Sequence, residues 1–218
     1  ATYYFTWDFP DITNRKRKNR TQELRFSFDK IIFGLFYSKL NENDDRSGYF
    51  FNGDYDYMTS KFDIDNSAIY AKYIKEFNNS VSIDLSLRLD KYKITNDLYY
   101  LASYYGTFGT DFLSIKDDNI GWDILLTKSL SKNNFLTFSI SKGFKTAGIN
   151  QSPNFSNERY YKKEDCLNTE IGYFYKNDKV SFESSVFYMI RNNPQLRLFI
   201  QRDISKPTYF DYATFNGS

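Results

Sequence analysis

The sequence predicts an all-β protein, an antiparallel up-and-down sheet of about ten strands with one apolar and one polar face. Three observations predict it. Apolar and polar residues alternate with a period of two in one segment after another. The connections between these segments switch regularly between very short and long. Finally, 20% of the residues are aromatic although the mean hydropathy is only −0.61, a combination reached by alternation and not by apolar runs.

Taken along the chain, the first candidate strand is 2–9, followed by a long connection, 10–19, whose basic run from Arg15 to Arg20 reads as a solvated loop. Strands 22–28 and 32–38 are joined by Asp29-Lys30, a turn-forming pair. The long connection 40–65 leads to strand 67–77, and Asn78-Asn79-Ser80 turns it into 81–90, the clearest segment of all. There Val81, Ile83, Leu85, Leu87 and Leu89 alternate strictly with Ser82, Asp84, Ser86, Arg88 and Asp90. After the long connection 93–119 come strands 122–130 and 135–144, joined by the short 131–133. The long connection 145–165 precedes strand 167–175, which turns at 176–178 into 179–191, where Val180, Phe182, Val186, Tyr188 and Ile190 oppose Ser181, Glu183, Ser185 and Arg191. Connection 192–206 and strand 207–216 close the series. If neighbouring strands are antiparallel, every short turn falls at one end and every long connection at the other.

Several function classes are excluded by composition. No run approaches the ~20 apolar residues of a transmembrane helix; the best, 31–37, is far shorter. The chain has no His and a single cysteine, Cys166, so neither an internal disulfide nor a Cys/His metal site nor a Ser-His-Asp or Cys-His pair can be built. The acidic pairs Asp44-Asp45, Asp63/Asp65 and Asp117-Asp118 fall in expected loops without Ca²⁺-loop spacing. They read as solvated charge, so no catalytic residue, metal site or cofactor is expected. The balance of 29 basic against 27 acidic residues gives no footprint for nucleic acid.

A period of two is shared with soluble sandwiches, whose apolar face turns inward. Strands of roughly ten residues and the one-ended rhythm of long loops favour instead an outer-membrane barrel, with tight turns on one side and long loops on the other. On that reading the apolar face meets lipid, and Glu23, Arg25, Asp84, Arg88, Asp90, Glu170 and Glu183 face the lumen in structural roles, where charges need partners. Lys142 shares the outward face of 135–144 and can snorkel to headgroups.

Particular residues sharpen the reading. The stretch Ser139-Ile140-Ser141-Lys142-Gly143-Phe144-Lys145-Thr146-Ala147-Gly148-Ile149-Asn150 resembles the S-x-G-[FY]-K-x-G-G-[FY]-N signature of TonB-dependent receptor barrels. Asn168-Thr169-Glu170-Ile171-Gly172 resembles the N-Y-E-x-G strand of that family, and Val186-Phe187-Tyr188 its next strand; Gln22-Glu23-Leu24-Arg25, Phe33-Gly34-Leu35-Phe36-Tyr37 and Leu85 to Asp90 resemble earlier ones. Ala147 and Ile149 stand where the family has Gly and an aromatic, Ser86 where Gly is common and Phe174 where Lys is frequent.

The resemblance implies a transmembrane β-barrel section, residues 1–218 being part of a barrel of roughly 22 strands whose plug domain and remaining strands are not in this sequence. It also implies location in the outer membrane of a Gram-negative bacterium, contact with outer-membrane lipid, partnership with the TonB complex through the plug, and import of a scarce nutrient. A ferric siderophore is the leading ligand class, ahead of cobalamin, nickel chelates and oligosaccharides; a non-transporting outer-membrane or adhesive β-protein is the alternative. Ligand contacts are expected from the long connections: Tyr99, Tyr100, Tyr104 and Tyr105 on one, Lys145, Arg159 and Tyr160 on the next. Tyr offers an apolar face with a hydroxyl, and the cations suit an anionic chelate.

Overall fold

The computed structural model describes residues 11–49, 55–78, 80–102, 107–151, 158–201 and 210–217; expected strand 2–9 lies outside them. Twelve strands are present among the described residues. Eight of them form one antiparallel sheet in nearly sequential order: β1 (Asp11–Phe28), β2 (Ile31–Tyr49), β3 (Tyr55–Phe77), β4 (Val81–Ala102), β5 (Thr107–Ser131), β6 (Asn134–Lys145), β9 (Glu164–Lys176) and β10 (Ser181–Asn192). Between β6 and β9 the chain forms a two-stranded piece, β7 (Gly148–Ile149) with β8 (Tyr160–Tyr161). Beyond β10 a separate hairpin pairs β11 (Gln195–Gln201) with β12 (Phe210–Asn216).

The four tight turns form where the sequence supplies residues that accept them. Asp29 and Asn78 sit at φ 42° and 47°, left-handed backbone that Asp and Asn adopt at least cost after Gly. Asn177 builds its own turn, its Oδ1 accepting the backbone N–H of Lys179 at 2.9 Å and of Val180 at 2.7 Å. Between β5 and β6 a bulge at Ser129/Ser131 shifts the register, and Ser131 Oγ accepts the Asn133 N–H at 3.3 Å. All four turns lie at one end of the sheet.

At the other end the structure corrects the sequence reading. The segments expected as loops at 10–19, 40–65 and 93–119 are mostly strand. β2 stays paired with β3 up to Tyr49↔Tyr55, and β4 with β5 up to Ala102↔Thr107. β1 to β5 therefore run 18 to 25 residues, about twice the 9–11 that cross a bilayer. β6, β9 and β10 stop at 12 to 13. The wall is tall on one side and low on the other.

Register sorts every side chain onto one of two faces. One row on the first face reads Leu24, Leu35, Ile69, Leu89, Ile120, and the next one towards the turns reads Phe26, Phe33, Ala71, Leu87, Trp122. On the same face, in rows nearer the turns, Ile124 and Leu126 lead through Ile140 and Phe138 on β6 and Thr169 and Ile171 on β9 to Tyr188 and Val186 on β10. The result is an apolar belt with none of the described residues packed on it: Leu24 is 61% exposed and Val186 76%. A soluble protein does not leave so continuous an apolar face open to water.

The second face carries the charged side chains at the same height, and on β2 to β4 its residues are less accessible than their neighbours in sequence. Ile32, Gly34 and Phe36 are half-buried or buried where Ile31, Phe33 and Leu35 are exposed; Ser86, Arg88 and Asp90 likewise against Leu85, Leu87 and Leu89. In a single-layer sheet this asymmetry reports curvature, since side chains converge on a concave face and splay on a convex one. The apolar belt is convex and the polar face concave, as in a barrel wall.

Candidate functional site

At belt height the concave face carries paired charge. Arg88 grips Asp90 through Nε at 2.7 Å and Nη2 at 2.8 Å, and its guanidinium lies 5.1 Å from the centre of the Phe36 ring. Tyr70 donates its hydroxyl to Glu23, and Lys72 lies 2.8 Å from Asp84. All seven residues read from the sequence as lumen-facing (Glu23, Arg25, Asp84, Arg88, Asp90, Glu170, Glu183) share this face by register. Among the described residues Arg25, Glu170 and Glu183 have no ion-pair partner. Gly34 is required beneath Tyr70, whose ring occupies the space a Cβ would take. Gly121 and Gly143 open a cleft of about 520 Å³ between Arg25, Lys72 and Arg88.

Higher up, the same face changes character. A row of Leu40, Ile64, Ile94 and Ile115 crosses β2 to β5, and above it Asn96 is fully buried while Ser60 donates to its Oδ1 at 2.7 Å. Leu98 is fully buried as well. At the outer edge Arg15 forms a bidentate pair with Asp44 at 2.7 and 2.6 Å and lies 3.5 Å from Glu42, which also takes Arg17. Hydrogen bonding to Asp44 raises the Arg15 pKa above its ordinary value.

Residues 146–151 and 158–163 fold back against this upper wall. Ile149 is buried against Ile94 and Leu113, with Phe62, Ile64 and Ile115 around them. The Ala147 N–H donates to Asp117 Oδ2 at 3.0 Å, and buried Arg159 pairs with Asp111 and donates to the Gln151 carbonyl at 3.4 Å. Tyr161 lies on Gly148, where a Cβ would collide with its ring, and burial raises the pKa of its hydroxyl. Three amides join this cover to the neighbouring hairpin. Asn150 Nδ2 donates to the carbonyls of Glu158 (2.7 Å) and Thr214 (2.9 Å) and its Oδ1 accepts the Thr214 N–H at 2.9 Å. Asn216 accepts the Lys162 N–H at 2.6 Å, and Gln195 Nε2 donates to Thr146 O at 2.8 Å.

Glu164 is the centre of the assembly. It accepts Arg191 Nε at 2.6 Å, the Gln195 backbone N–H at 2.8 Å and Lys145 Nζ at 3.4 Å. These donors, Arg191 foremost, hold its carboxyl at a pKa of about 2.

The residues expected to contact ligand are distributed unevenly. Tyr100 lies on the concave face against Gly109, whereas Tyr99 lies on the convex face, its ring 6.1 Å from Tyr57. Tyr104 and Tyr105 are outside the described residues. Lys145 and Arg159 are held by Glu164 and Asp111, and Tyr160, 49% exposed, is the most accessible side chain of the expected set on the cover. The pairs Asp44-Asp45 and Asp117-Asp118 lie on paired strands with one member on each face, so adjacent carboxylates point apart. Sequence reasoning missed Asp111, Asn150, Glu164, Gln195 and Asn216, and it set Asp117 aside as solvated charge. Only Asn150, at the end of the glycine-containing motif, carried any signal.

Neither a protein-family model nor a curated protein matches the sequence. Solved structures do match in fold. The ferric yersiniabactin uptake receptor FyuA from Yersinia pestis superposes with a TM-score of 0.76 over 86% of this chain at 18% identity, and the ferric citrate transporter FecA with 0.50 over 83% at 13%. This chain spans 30% of the length of the first and 35% of the second. At these identities the likeness is one of fold: the curved sheet is built like a sector of those receptors' β-barrels.

Proposed function

We propose that this chain is one sector of the wall of an outer-membrane, TonB-dependent receptor that imports a scarce nutrient, a ferric siderophore. One observation carries the reading: a convex apolar belt of membrane height lies under a taller ion-paired wall with an inward-folded cover, in a fold shared with two iron-chelate uptake proteins. On this reading the belt faces lipid, and the complete protein closes the barrel with further strands around a plug. The TonB complex acts on that plug. The low wall at β6, β9 and β10 and the cover above it shape one side of the mouth, where Tyr100 and Tyr160 offer stacking and hydroxyl contacts to a chelate.

The test is uptake of radioactive iron by cells carrying the full-length protein as their sole candidate importer, supplied as ferric catecholate, hydroxamate and carboxylate chelates in turn. Accumulation of one of them that a protonophore abolishes is the expected result. No accumulation of any, with the barrel present in the outer membrane, favours the non-transporting, adhesive alternative.

A further inference from the structure

Above the row of Arg88 the concave face of β3 to β5 carries no Lys or Arg among the described residues; the lysines of these strands fall on the convex face by register. Its described carboxylates are Asp90, Asp111 and Asp117. Arg88 grips Asp90 through two nitrogens, and Arg159 pairs with Asp111. Asp117 has no cation: among the described residues it accepts only the Ala147 N–H, at 3.0 Å on Oδ2. The cations expected to receive an anionic chelate are therefore already paired, Lys145 with Glu164 and Arg159 with Asp111, and one carboxylate is left over. Asp117 belongs to a square of oxygen-bearing side chains. It lies directly opposite Tyr92, and one step along the same face Asn119 lies directly opposite Asp90. Asn119 is 2% exposed, yet neither its Oδ1 nor its Nδ2 has a hydrogen-bond partner, and Asn66, next to Tyr92 on β3, leaves its buried Oδ1 without one. Buried polar atoms are almost always paired, so unpaired ones beside an uncompensated carboxylate mark a missing donor.

We propose that this square receives a protonated primary amine of the imported chelate, which makes the ligand a ferric chelate with an alkylammonium arm on a neutral trihydroxamate core, not a polyanionic catecholate or carboxylate complex. The inference rests on the import reading above and names the ligand class for it. Three features select that occupant. An ammonium has three N–H donors and no acceptor, which suits a group of acceptors made of the Asp117 carboxylate, the Tyr92 hydroxyl and Asn119 Oδ1. One uncompensated carboxylate calls for one positive charge. A divalent ion, which takes several oxygen ligands, would have only Asp117 to balance it and would stand beside the guanidinium that already neutralises Asp90. Finally, the next row towards the mouth is apolar, with Ile64 and Ile115 half-buried on either side of Ile94, and takes the methylenes of the arm.

The test measures the binding of two chelates to the full-length protein in detergent by titration calorimetry: a ferric trihydroxamate with a terminal primary ammonium, and the same chelate with that amine acetylated. The wild type binds the ammonium form roughly tenfold more tightly or better, the scale of one hydrogen bond to a charged group. Asp117→Asn, whose amide oxygen still accepts the Ala147 N–H, removes the difference, and Asp118→Asn on the convex face keeps it. Equal affinity for the two chelates in the wild type, or a difference that survives in Asp117→Asn, overturns the proposal. Loss of the difference in millimolar calcium chloride also overturns it, because the square is then a divalent-cation site. Iron uptake by cells separates the two failures. If iron enters from the acetylated chelate or from a ferric catecholate while the ammonium gives no advantage, the square alone is misassigned; if no chelate is bound or taken up, the import reading is wrong too.

Discussion

Glu164 accepts Arg191 Nε at 2.6 Å and the Gln195 backbone N–H at 2.8 Å, so one buried carboxylate ties the start of β9 to the end of β10 and to the hairpin beyond it. Its pKa near 2 lies below the ordinary 4.5. A depressed pKa stabilises the folded arrangement above the ordinary value, and that stabilisation is lost as pH falls from about 4.5 towards 2. The cover and hairpin therefore loosen in that window. Amide hydrogen exchange at Gln195 should accelerate through it in the wild type and be fast and pH-insensitive, after correction for intrinsic exchange, in Glu164→Gln.

Ile149 is the apolar anchor of the cover. Truncation in a packed apolar site costs about 2–5 kcal/mol, and here the loss falls on a local attachment. Ile149→Ala should raise exchange and proteolysis between 146 and 163 while leaving the protection of β2 to β5 unchanged. Loss of protection throughout the sheet would show that the cover is part of the global fold.

Gly148 supports Tyr161 with no room for a Cβ. Gly148→Val should expel the ring and destabilise the cover as Ile149→Ala does. The contrasting position is Gly143, where a Cβ meets nothing within 4 Å, so Gly143→Ala should be close to neutral. Thermal melts of the two variants in detergent check the pair.

Tyr160 makes the test of the binding reading that interferes least with structure. It is exposed on the cover, whereas Arg159 beside it is buried on Asp111. Tyr160→Ala should weaken chelate binding several-fold with the amount of folded barrel unchanged. Arg159→Ala should do so only with loosening of the cover, because it leaves Asp111 without its cation.

The belt was legible in the sequence and the upper wall was not, for one physical reason. Alternation is imposed where one face of a strand meets lipid and the other does not, as at Val81 to Leu89. Above the belt neither face is uniformly apolar, the inner one mixing Ile64 and Ile94 with Ser60 and Asn96, so Asn41-Glu42-Asn43-Asp44-Asp45 pairs as strand while reading as a loop. The turns at Asp29 and Asn177 were readable because their side chains make them locally. The cover was not: Ile149 finds Ile94 and Leu113 only through the tertiary fold, and Glu164 and Gln195 carry no motif. Nothing in the sequence separates Tyr99 from Tyr100 except parity, and parity was untraceable once the alternation had faded.

The account rests on a convex face against lipid, and a nitroxide scan along β4 in phospholipid vesicles tests it most directly. Labels are placed singly from Val81 to Tyr99 in the full-length protein with Cys166→Ser. Accessibility to oxygen over a nickel chelate should alternate with a period of two, highest at 81, 83, 85, 87 and 89, and lose its lipid signature from Lys91 onward. A flat profile, or maxima at Ser82, Asp84 and Arg88, would contradict the membrane-barrel assignment.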